Sequence, residues 1–317
     1  MTTIVSIGSG KGGVGKSMLS ANLAVLLAGK GYKVTLIDLD AGGANSHIMF
    51  GVFKPEYTLA DFMLRRVDSL QDVTMELKSF NRLRLVPGMG ESMYTANIPA
   101  AAREKLVRHI HKLDSDFVVI DVGAGTNLNT LDYFMLGDYN LCISTPEPTS
   151  VLDLYRFVKL AVIRKALSVF LANDDIRKTI AKTNVQNIEQ IFSLAGEAGQ
   201  EKREAAQQAV KNFRPLLVAN RSGDKKKKIH ILQLQQLLKK YVGVQSITKL
   251  GEIPVDNAVE QSIGAFQPVA GYAPNSPAAK ALVEITDNLL SVIEQHKNAD
   301  TEISESTAAP AVVDSLV

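Results

Sequence analysis

Residues 4–17 read Ile4-Val5-Ser6-Ile7-Gly8-Ser9-Gly10-Lys11-Gly12-Gly13-Val14-Gly15-Lys16-Ser17. The segment begins with β-branched residues, continues into a loop of the pattern G-x-x-x-x-G-K-[ST], and is followed by leucines at helical spacing. Glycines let consecutive backbone N–H groups converge on a phosphate, and the N-terminus of the next helix points its positive end at the same anion. The segment therefore predicts a strand, a phosphate-binding loop and a helix.

The residue types of this loop suit a nucleoside triphosphate bound with Mg²⁺. Lys16 would reach the β- and γ-phosphates, and the Ser17 hydroxyl would join phosphate oxygens and water around the metal. A tight strand-to-helix turn without a ligand is the alternative. The predicted nucleotide-binding residues of the loop are Gly10, Lys11, Gly12, Gly13, Val14, Gly15, Lys16 and Ser17.

Two further apolar segments end in aspartates. The segment Val34-Thr-Leu-Ile-Asp38-Leu-Asp40 has two of them, and Phe117-Val-Val-Ile-Asp121 has the pattern of a Walker B strand. The carboxyl ends of parallel strands meet at one edge of a sheet, where ligand sites of α/β proteins form. We therefore expect all three carboxylates beside the phosphate loop, with Asp121 holding Mg²⁺ through water. A solvated strand end is the alternative for Asp38 and Asp40.

The order of these patterns indicates one α/β domain. It predicts a doubly wound, mainly parallel sheet with helices on both faces, the three-layer α/β/α arrangement of P-loop NTPases. We place this domain at residues 1–296, with an extra helical insertion at about 173–211 that contains two helices joined near residues 196–199. Residues 297–317 are rich in Ser, Thr, Ala and acidic side chains and are predicted to be a disordered tail.

The composition limits the class of protein. A hydrophobic content of 46%, a charged content of 21% and a net charge of +2 are typical of a globular protein and favour no particular partner. The single cysteine, Cys142, is expected in a buried strand, and it excludes an iron–sulfur cluster held by paired cysteines. The first residues lead directly into a predicted strand without a basic region and an apolar stretch, so we expect no signal peptide. The most apolar segment, 152–172, carries several charged residues, so we expect no transmembrane segment. The lone cysteine favours a reducing, cytoplasmic location.

The second lysine of the loop carries a family resemblance. With Lys11, the run from Lys11 to Ser17 resembles the deviant Walker A motif of the MinD/ParA family of ATPases. The run from Asp38 to Asn45 is similar to the D-x-D-x-G-x-x-N segment of the MinD branch, which includes the flagellar-number regulators called FlhG or FleN. The sequence departs from that branch directly afterwards, where Ser46 and His47 replace the usual Leu-Asp or Val-Asp.

The resemblance implies an ATP-dependent homodimer that hydrolyses ATP to ADP and phosphate. In the family, the residue matching Lys11 crosses into the partner subunit and touches its nucleotide; a solvated loop lysine is the alternative. The residue matching Asp40 orients the attacking water, and the one matching Asp38 supports Mg²⁺ through water. The resemblance therefore implies catalytic roles for Lys11, Lys16 and Asp40, metal-site roles for Ser17, Asp38 and Asp121, and base-side contacts from Asn220, Pro254 and Asp256.

Three cellular roles stay open. The first is a switch that controls the placement or number of a cellular structure, with flagella as the first choice. Its slow hydrolysis would be stimulated by a regulatory protein, and it would reach the inner membrane through a partner. The second is a chromosome or plasmid partition ATPase whose Lys225 to Lys228 contact nonspecific DNA, although the same lysines could instead contact anionic lipid or be a solvated helix start. The third is a nucleotide-dependent scaffold without significant hydrolysis.

Overall fold

One mixed sheet forms the centre of the molecule. The computed structural model describes residues 2–40, 43, 46–89, 100–172, 175, 187–223, 229–244 and 246–308. Asn45, most of 173–186, Lys225 to Lys228 and 309–317, on which parts of the sequence interpretation depend, lie outside these residues. The strands are β1 (Thr3–Ser9), β2 (Val34–Leu39), β3 (Met75–Glu76), β4 (Leu83–Val86), β5 (Phe117–Ala124), β6 (Tyr139–Ser144), β7 (Leu216–Ser222) and β8 (Thr248–Pro254).

The strand order explains where the site forms. The strands of the described chain follow the order β3-β4-β2-β5-β1-β6-β7-β8, and every neighbouring pair is parallel except β3 and β4. The strand before the phosphate loop, β1, therefore lies between β5 and β6, and β2 lies on the far side of β5. The carboxyl ends of β1, β2 and β5 consequently meet at one edge.

Helices cover both faces of the sheet. Successive strand residues point to opposite faces, so Leu36 packs in one core with Leu19 and Ile37 packs in the other with Leu154. The predicted three-layer, doubly wound fold is confirmed. The helices are α1 (Lys16–Gly29), α2 (Leu59–Met63), α3 (Leu70–Val73), α4 (Ala100–Ile110), α5 (Leu128–Phe134), α6 (Pro148–Ser168), α7 (Ile188–Glu197), α8 (Gln200–Asn212), α9 (Ile229–Val242), α10 (Asn257–Gly264), α11 (Val269–Tyr272) and α12 (Pro277–Ala308).

Three features differ from the sequence interpretation. The short antiparallel strand β3 was not predicted, because two residues show no alternation that a pattern can detect. The turn Thr145-Pro-Glu-Pro-Thr149-Ser150 predicts a helix that begins near Val151 with Thr149 or Ser150 as its cap, but α6 begins at Pro148, with Glu147 as its N-cap. The Ser150 hydroxyl instead bonds to residues at the end of β6. Helix α12 continues to Ala308, past residue 297, where the sequence interpretation placed the beginning of the tail.

Candidate functional site

The phosphate-binding loop connects β1 to α1. Gly13 and Gly15 have φ angles of 75° and 98°, a region that residues with side chains rarely adopt. Gly15 is the N-cap of the 14-residue helix α1, so the loop presents the N-terminal N–H groups of that helix at the edge of the sheet. A Cβ at Gly10 would overlap the carbonyl oxygen of Asp153, so glycine lets the loop pack directly on α6. The geometry suits a bound phosphate.

Lys16 is buried in spite of its charge. It is 6% exposed, and its Nζ lies 3.7 Å from Asp40 Oδ2. Burial raises the pKa of Asp121, and the Lys16 ammonium opposes that rise. A buried ammonium is tolerated where carboxylates offset its charge. Lys16 therefore connects the phosphate loop to the ends of β2 and β5.

Asp38 and Asp121 form a buried carboxyl pair. They are register partners on β2 and β5 and are 1% and 0% exposed. Burial, followed by the neighbouring Asp121 carboxylate, raises the pKa of Asp38 to about 7. Burial also raises the pKa of Asp121, while the Lys16 ammonium and the Ser17 hydroxyl act in the opposite direction. Carboxyl groups thus outnumber the ammonium groups assigned to this site.

These donors fit Mg²⁺. Ser17 and Asp121 supply oxygen atoms, and the Ser17 hydroxyl is near enough to Asp121 to lower the pKa of that carboxyl against the rise that burial causes. Asp38 and Asp40 add carboxylates around them. Mg²⁺ binds oxygen ligands and is commonly held by one or two carboxylates together with substrate phosphates and water. Within the described parts of the chain, no cluster of three or more His, Cys, Asp or Glu side chains could hold a metal ion alone. The residues therefore suit a metal that shares its coordination with a nucleotide.

Two serines that the sequence did not assign to the metal site contact Asp121. The Ser20 hydroxyl lies 3.2 Å from Asp121 Oδ1 and 3.0 Å from the carbonyl oxygen of Lys16, so its one hydrogen is shared between these two acceptors. Ser46 donates its N–H to Asp38 Oδ2 over 3.0 Å and its hydroxyl to Asp121 Oδ2 over 3.1 Å. Ser20 could have been found from its spacing, because it lies three residues after Ser17 on the same helix face. Ser46 was visible in the sequence only as a departure from the related pattern.

The segment after Asp121 lies against Asp40. A Cβ at Gly123 would lie 3.3 Å from Asp40 Oδ1, so the absence of a side chain gives Asp40 its space. Farther along, Asn127 caps α5, and its side chain accepts from the N–H of Thr130 over 2.9 Å. Asn129 Oδ1 accepts from Arg103 Nη1 over 2.6 Å, which links α5 to α4. The two asparagines thus bond within the protein in this structure.

The predicted base-side residues lie at the ends of β7 and β8. Asn220 is 6% exposed; its Nδ2 donates to the carbonyl of Val14 over 2.8 Å, and its Oδ1 accepts from the N–H of Arg221 over 2.8 Å. Asn220 therefore braces the phosphate loop, and its amide is occupied by backbone groups. Pro254 is the last residue of β8 and is half-buried.

Asp256 caps a helix. Its Oδ1 accepts from the N–H of Ala258 at the start of α10, and its Oδ2 accepts from the N–H of Ala278 in α12, each over 2.9 Å. These backbone bonds hold the pKa of Asp256 below its ordinary value. Both carboxylate oxygens are thus used to join two helices next to the end of β8.

Lys11 lies in the exposed part of the phosphate loop. Lys11, Gly12 and Gly13 are exposed, and the carbonyl of Lys11 accepts from the Ser9 hydroxyl over 2.9 Å. The loop is thus anchored by its backbone, and the Lys11 side chain is accessible from outside this chain.

Two sequence expectations concern features away from the loop. Cys142 lies in β6 and is 1% exposed, as expected, and burial raises the pKa of its thiol well above the ordinary range. Among the helices that the structure describes, none has the length and the apolar character needed to cross a bilayer.

Similarity to known proteins agrees with this site. The sequence profile of the ParA family, described as NUBPL iron-transfer P-loop NTPase, matches residues 1–210. The chain is 36% identical over 174 residues to the flagellum site-determining protein YlxH of Helicobacter pylori, covering 54% of this chain and 58% of that protein. It is 31% identical over 159 residues to the antiactivator FleN of Pseudomonas aeruginosa, covering 50% and 55%. The chain thus spans less than two thirds of the length of these relatives.

The fold of this chain is also similar to that of a solved structure. The septum site-determining protein MinD of Pyrococcus horikoshii, complexed with Mg-ADP, superposes with a TM-score of 0.64 at 23% identity, over 91% of this chain and 96% of that one. Because the profile match includes the phosphate loop and both carboxylate strands, and covers more than half of the 317 residues, the chain belongs to the ParA family of P-loop NTPases.

Proposed function

We propose that this chain binds ATP with Mg²⁺ at the phosphate loop, hydrolyses it slowly to ADP and phosphate, and dimerises in its ATP-bound form. The observation that carries the proposal is the convergence of Lys16, Asp40 and Asp121 at the end of the loop. It brings a phosphate-binding ammonium, a carboxylate for water and a carboxylate for metal into one site.

Catalysis in this proposal depends on positioning and charge neutralisation. The loop N–H groups and Lys16 bind the phosphate oxygens. Asp40 orients a water whose oxygen bonds to the γ-phosphorus as the bond to the ADP oxygen breaks, and a water proton leaves with phosphate or solvent. Ser17 and Asp121 would hold Mg²⁺, which neutralises charge on the β- and γ-phosphates. Asp40 is held by Lys16 and bordered by Gly123, so its orientation depends on the phosphate loop and on the segment after β5.

The exposed position of the Lys11 side chain is an argument for the proposed dimer. It lies on the exposed side of the loop, so it can reach a nucleotide held by a second copy of the chain. ATP would then favour the dimer by adding contacts that ADP lacks, and hydrolysis would reverse it.

For the cellular role we propose control of the placement or number of flagella. The chain would act in the cytoplasm with a regulatory protein partner, and it would reach the inner membrane through that partner. The proposal is supported by two relatives, a flagellum site-determining protein and an antiactivator. Partition of DNA is a second candidate, favoured by the lysine run 225–228 of the sequence. A scaffold that binds nucleotide without hydrolysis is a third.

The matched family profile is named for iron transfer, but this chain lacks the cysteines that would hold an iron–sulfur cluster. Carriers of iron–sulfur clusters hold them with several cysteine thiolates. The chain has one cysteine, Cys142, and it is buried in β6 with a raised thiol pKa. A buried, protonated thiol is a poor metal ligand.

The test is light scattering coupled to size exclusion on the Asp40→Ala variant with ADP and with ATP. We expect a dimer with ATP alone, and a monomer in both nucleotides when Lys11→Ala is added. Phosphate release by the wild type, lost in Asp40→Ala, would exclude the non-hydrolysing scaffold. A monomer of Asp40→Ala in both nucleotides would contradict the switch.

Duplex DNA of arbitrary sequence, offered to the ATP-bound dimer at two salt concentrations, separates the cellular roles. Retention that falls steeply with salt would favour partition, because phosphate contacts release counterions. We expect no retention, in keeping with control through protein contacts.

A further inference from the structure

Ser46 lies between β2 and the short 3-10 turn Ile48–Phe50, and it is fully buried. Its N–H donates to Asp38 Oδ2 over 3.0 Å, and its hydroxyl donates to Asp121 Oδ2 over 3.1 Å. One residue from the loop after β2 therefore bonds to both members of the buried carboxyl pair.

The two oxygens of Asp121 are held from two different elements. Ser46 donates to Oδ2 over 3.1 Å. The Ser20 hydroxyl on α1 approaches Oδ1 to 3.2 Å and shares its one hydrogen with the carbonyl oxygen of Lys16 at 3.0 Å, so Ser46 is the stronger constraint on Asp121. The terminal torsion of an aspartate is broad, so an unbonded carboxylate samples many orientations. Donors at both oxygens restrict the plane of the Asp121 group. A leucine or valine, which the related pattern has at the position of Ser46, supplies no such donor.

We propose that Ser46 is a positioning residue for the Mg²⁺ site: its hydroxyl fixes Asp121 in the orientation that receives metal-bound water. The inference rests on the proposed function, since it requires Mg²⁺ and nucleotide at the phosphate loop. Partners that orient metal-binding groups typically change metal affinity by about 10–100-fold when lost. Because Asp121 acts through water and Ser20 remains, a shift of about tenfold is expected.

The two bonds of Ser46 can be separated by mutation. Ser46→Ala removes the hydroxyl but keeps the N–H that bonds to Asp38, so the loop stays attached to β2. Ser46→Thr keeps the hydroxyl. Ser6→Ala is a matched control, because Ser6 is also fully buried, and its hydroxyl donates to the carbonyl of Phe134 over 2.6 Å, away from the carboxyl pair.

The experiment measures nucleotide binding without turnover. A fluorescent, non-hydrolysable ATP analogue is titrated into the full chain, first in EDTA and then at increasing MgCl₂, for the wild type and the three variants. The readouts are the affinity in EDTA and the MgCl₂ concentration that gives half of the metal-dependent gain. Thermal melting of each variant checks folding.

We expect Ser46→Ala to need about ten times more MgCl₂ while its affinity in EDTA stays unchanged. Ser46→Thr and Ser6→Ala should remain near the wild type. An unchanged or lower MgCl₂ requirement in a folded Ser46→Ala protein would overturn the inference, the latter showing that the hydroxyl competes with the metal. Equal affinity of the wild type in EDTA and in MgCl₂ would instead contradict the metal site of the proposed function.

Discussion

Asp38 and Asp121 lie beside each other on the parallel strands β2 and β5, as register partners with nearly no exposure to solvent. Two carboxylates in such surroundings repel each other, and burial penalises the charge of each. The pKa of Asp38 is accordingly raised to about 7. The site is therefore under electrostatic strain that a divalent cation beside both groups would relieve.

The first prediction concerns the free energy of unfolding in EDTA. Because the pKa of Asp38 is raised from 3.8 to about 7 on folding, the folded chain binds more protons than the unfolded chain between these values. Stability must therefore fall as the pH rises through this window, and the full cost remains above it. Asp38→Asn removes this contribution and should stabilise the metal-free protein by about 1–2 kcal/mol near pH 8.

Urea unfolding of the wild type and Asp38→Asn at about pH 5 and about pH 8 measures this effect. The difference between the two proteins should grow with pH. The Asp121 carboxylate acts on Asp38, so Asp121→Asn serves as a comparison that also relieves the repulsion. A difference that is constant between the two pH values would show that Asp38 is ionised throughout.

The second prediction concerns Gly123. A Cβ there would lie 3.3 Å from Asp40 Oδ1 and 3.7 Å from Asp40 Cα, so Gly123→Ala displaces the carboxylate by a few tenths of an ångström. Misplacing a catalytic group by an ångström can cost a factor of about one hundred, so we expect a kcat lowered about tenfold. The affinity for ATP should remain unchanged, because the phosphate loop is not touched.

Steady-state phosphate release and binding of a fluorescent ATP analogue check this expectation. Gly29→Ala is the control: Gly29 ends α1, a Cβ there would meet no atom within 4 Å, and alanine favours helix. If Gly123→Ala keeps the wild-type kcat, Asp40 is not constrained by the segment after β5.

The central part of the fold was predictable because its signals are local. One continuous segment contains the strand before Gly10, the glycine pattern and the leucines of α1. The two strands that end in aspartate are likewise visible as short, continuous apolar runs. Parallel strands then bring their carboxyl ends to a common edge, which is why Asp40 could be expected beside Lys16.

The remaining features depend on contacts between distant residues. Ser46 bonds to Asp121 across 75 positions of sequence, and Asn220 bonds to Val14 across 206. A serine or asparagine has many ways to satisfy its hydrogen bonds, so its residue type does not indicate its partner. The strand β3 was missed for a different reason, since its pairing with β4 decides its conformation.

The third prediction concerns Asp256. Asp256→Ala removes the acceptor for the N–H groups of Ala258 and Ala278 and should lower the free energy of unfolding by about 1–2 kcal/mol. The lowered pKa of Asp256 means that its contribution is present above its unfolded value of 3.8 and is lost as the pH falls below it. Urea unfolding near neutral pH measures the loss, and Asp256→Asn, which keeps one acceptor, should be intermediate. An unaltered stability of Asp256→Ala would mean that water replaces the carboxylate at both helices.

The fourth prediction separates two roles of Asn220. If Asn220 braces Val14, as in this structure, then Asn220→Ala loosens the phosphate loop. The variant should then bind ATP and GTP more weakly by the same factor of about ten, or about 1.4 kcal/mol. If its amide instead pairs with adenine when ATP binds, the same variant loses affinity for ATP alone. The ratio of its affinities for ATP and GTP is then smaller than in the wild type. Asn140→Ala is the control, since Asn140 is also buried but bonds to Ser6 and Phe134. Titration of both nucleotides therefore decides the role, and a changed ratio would contradict the bracing role.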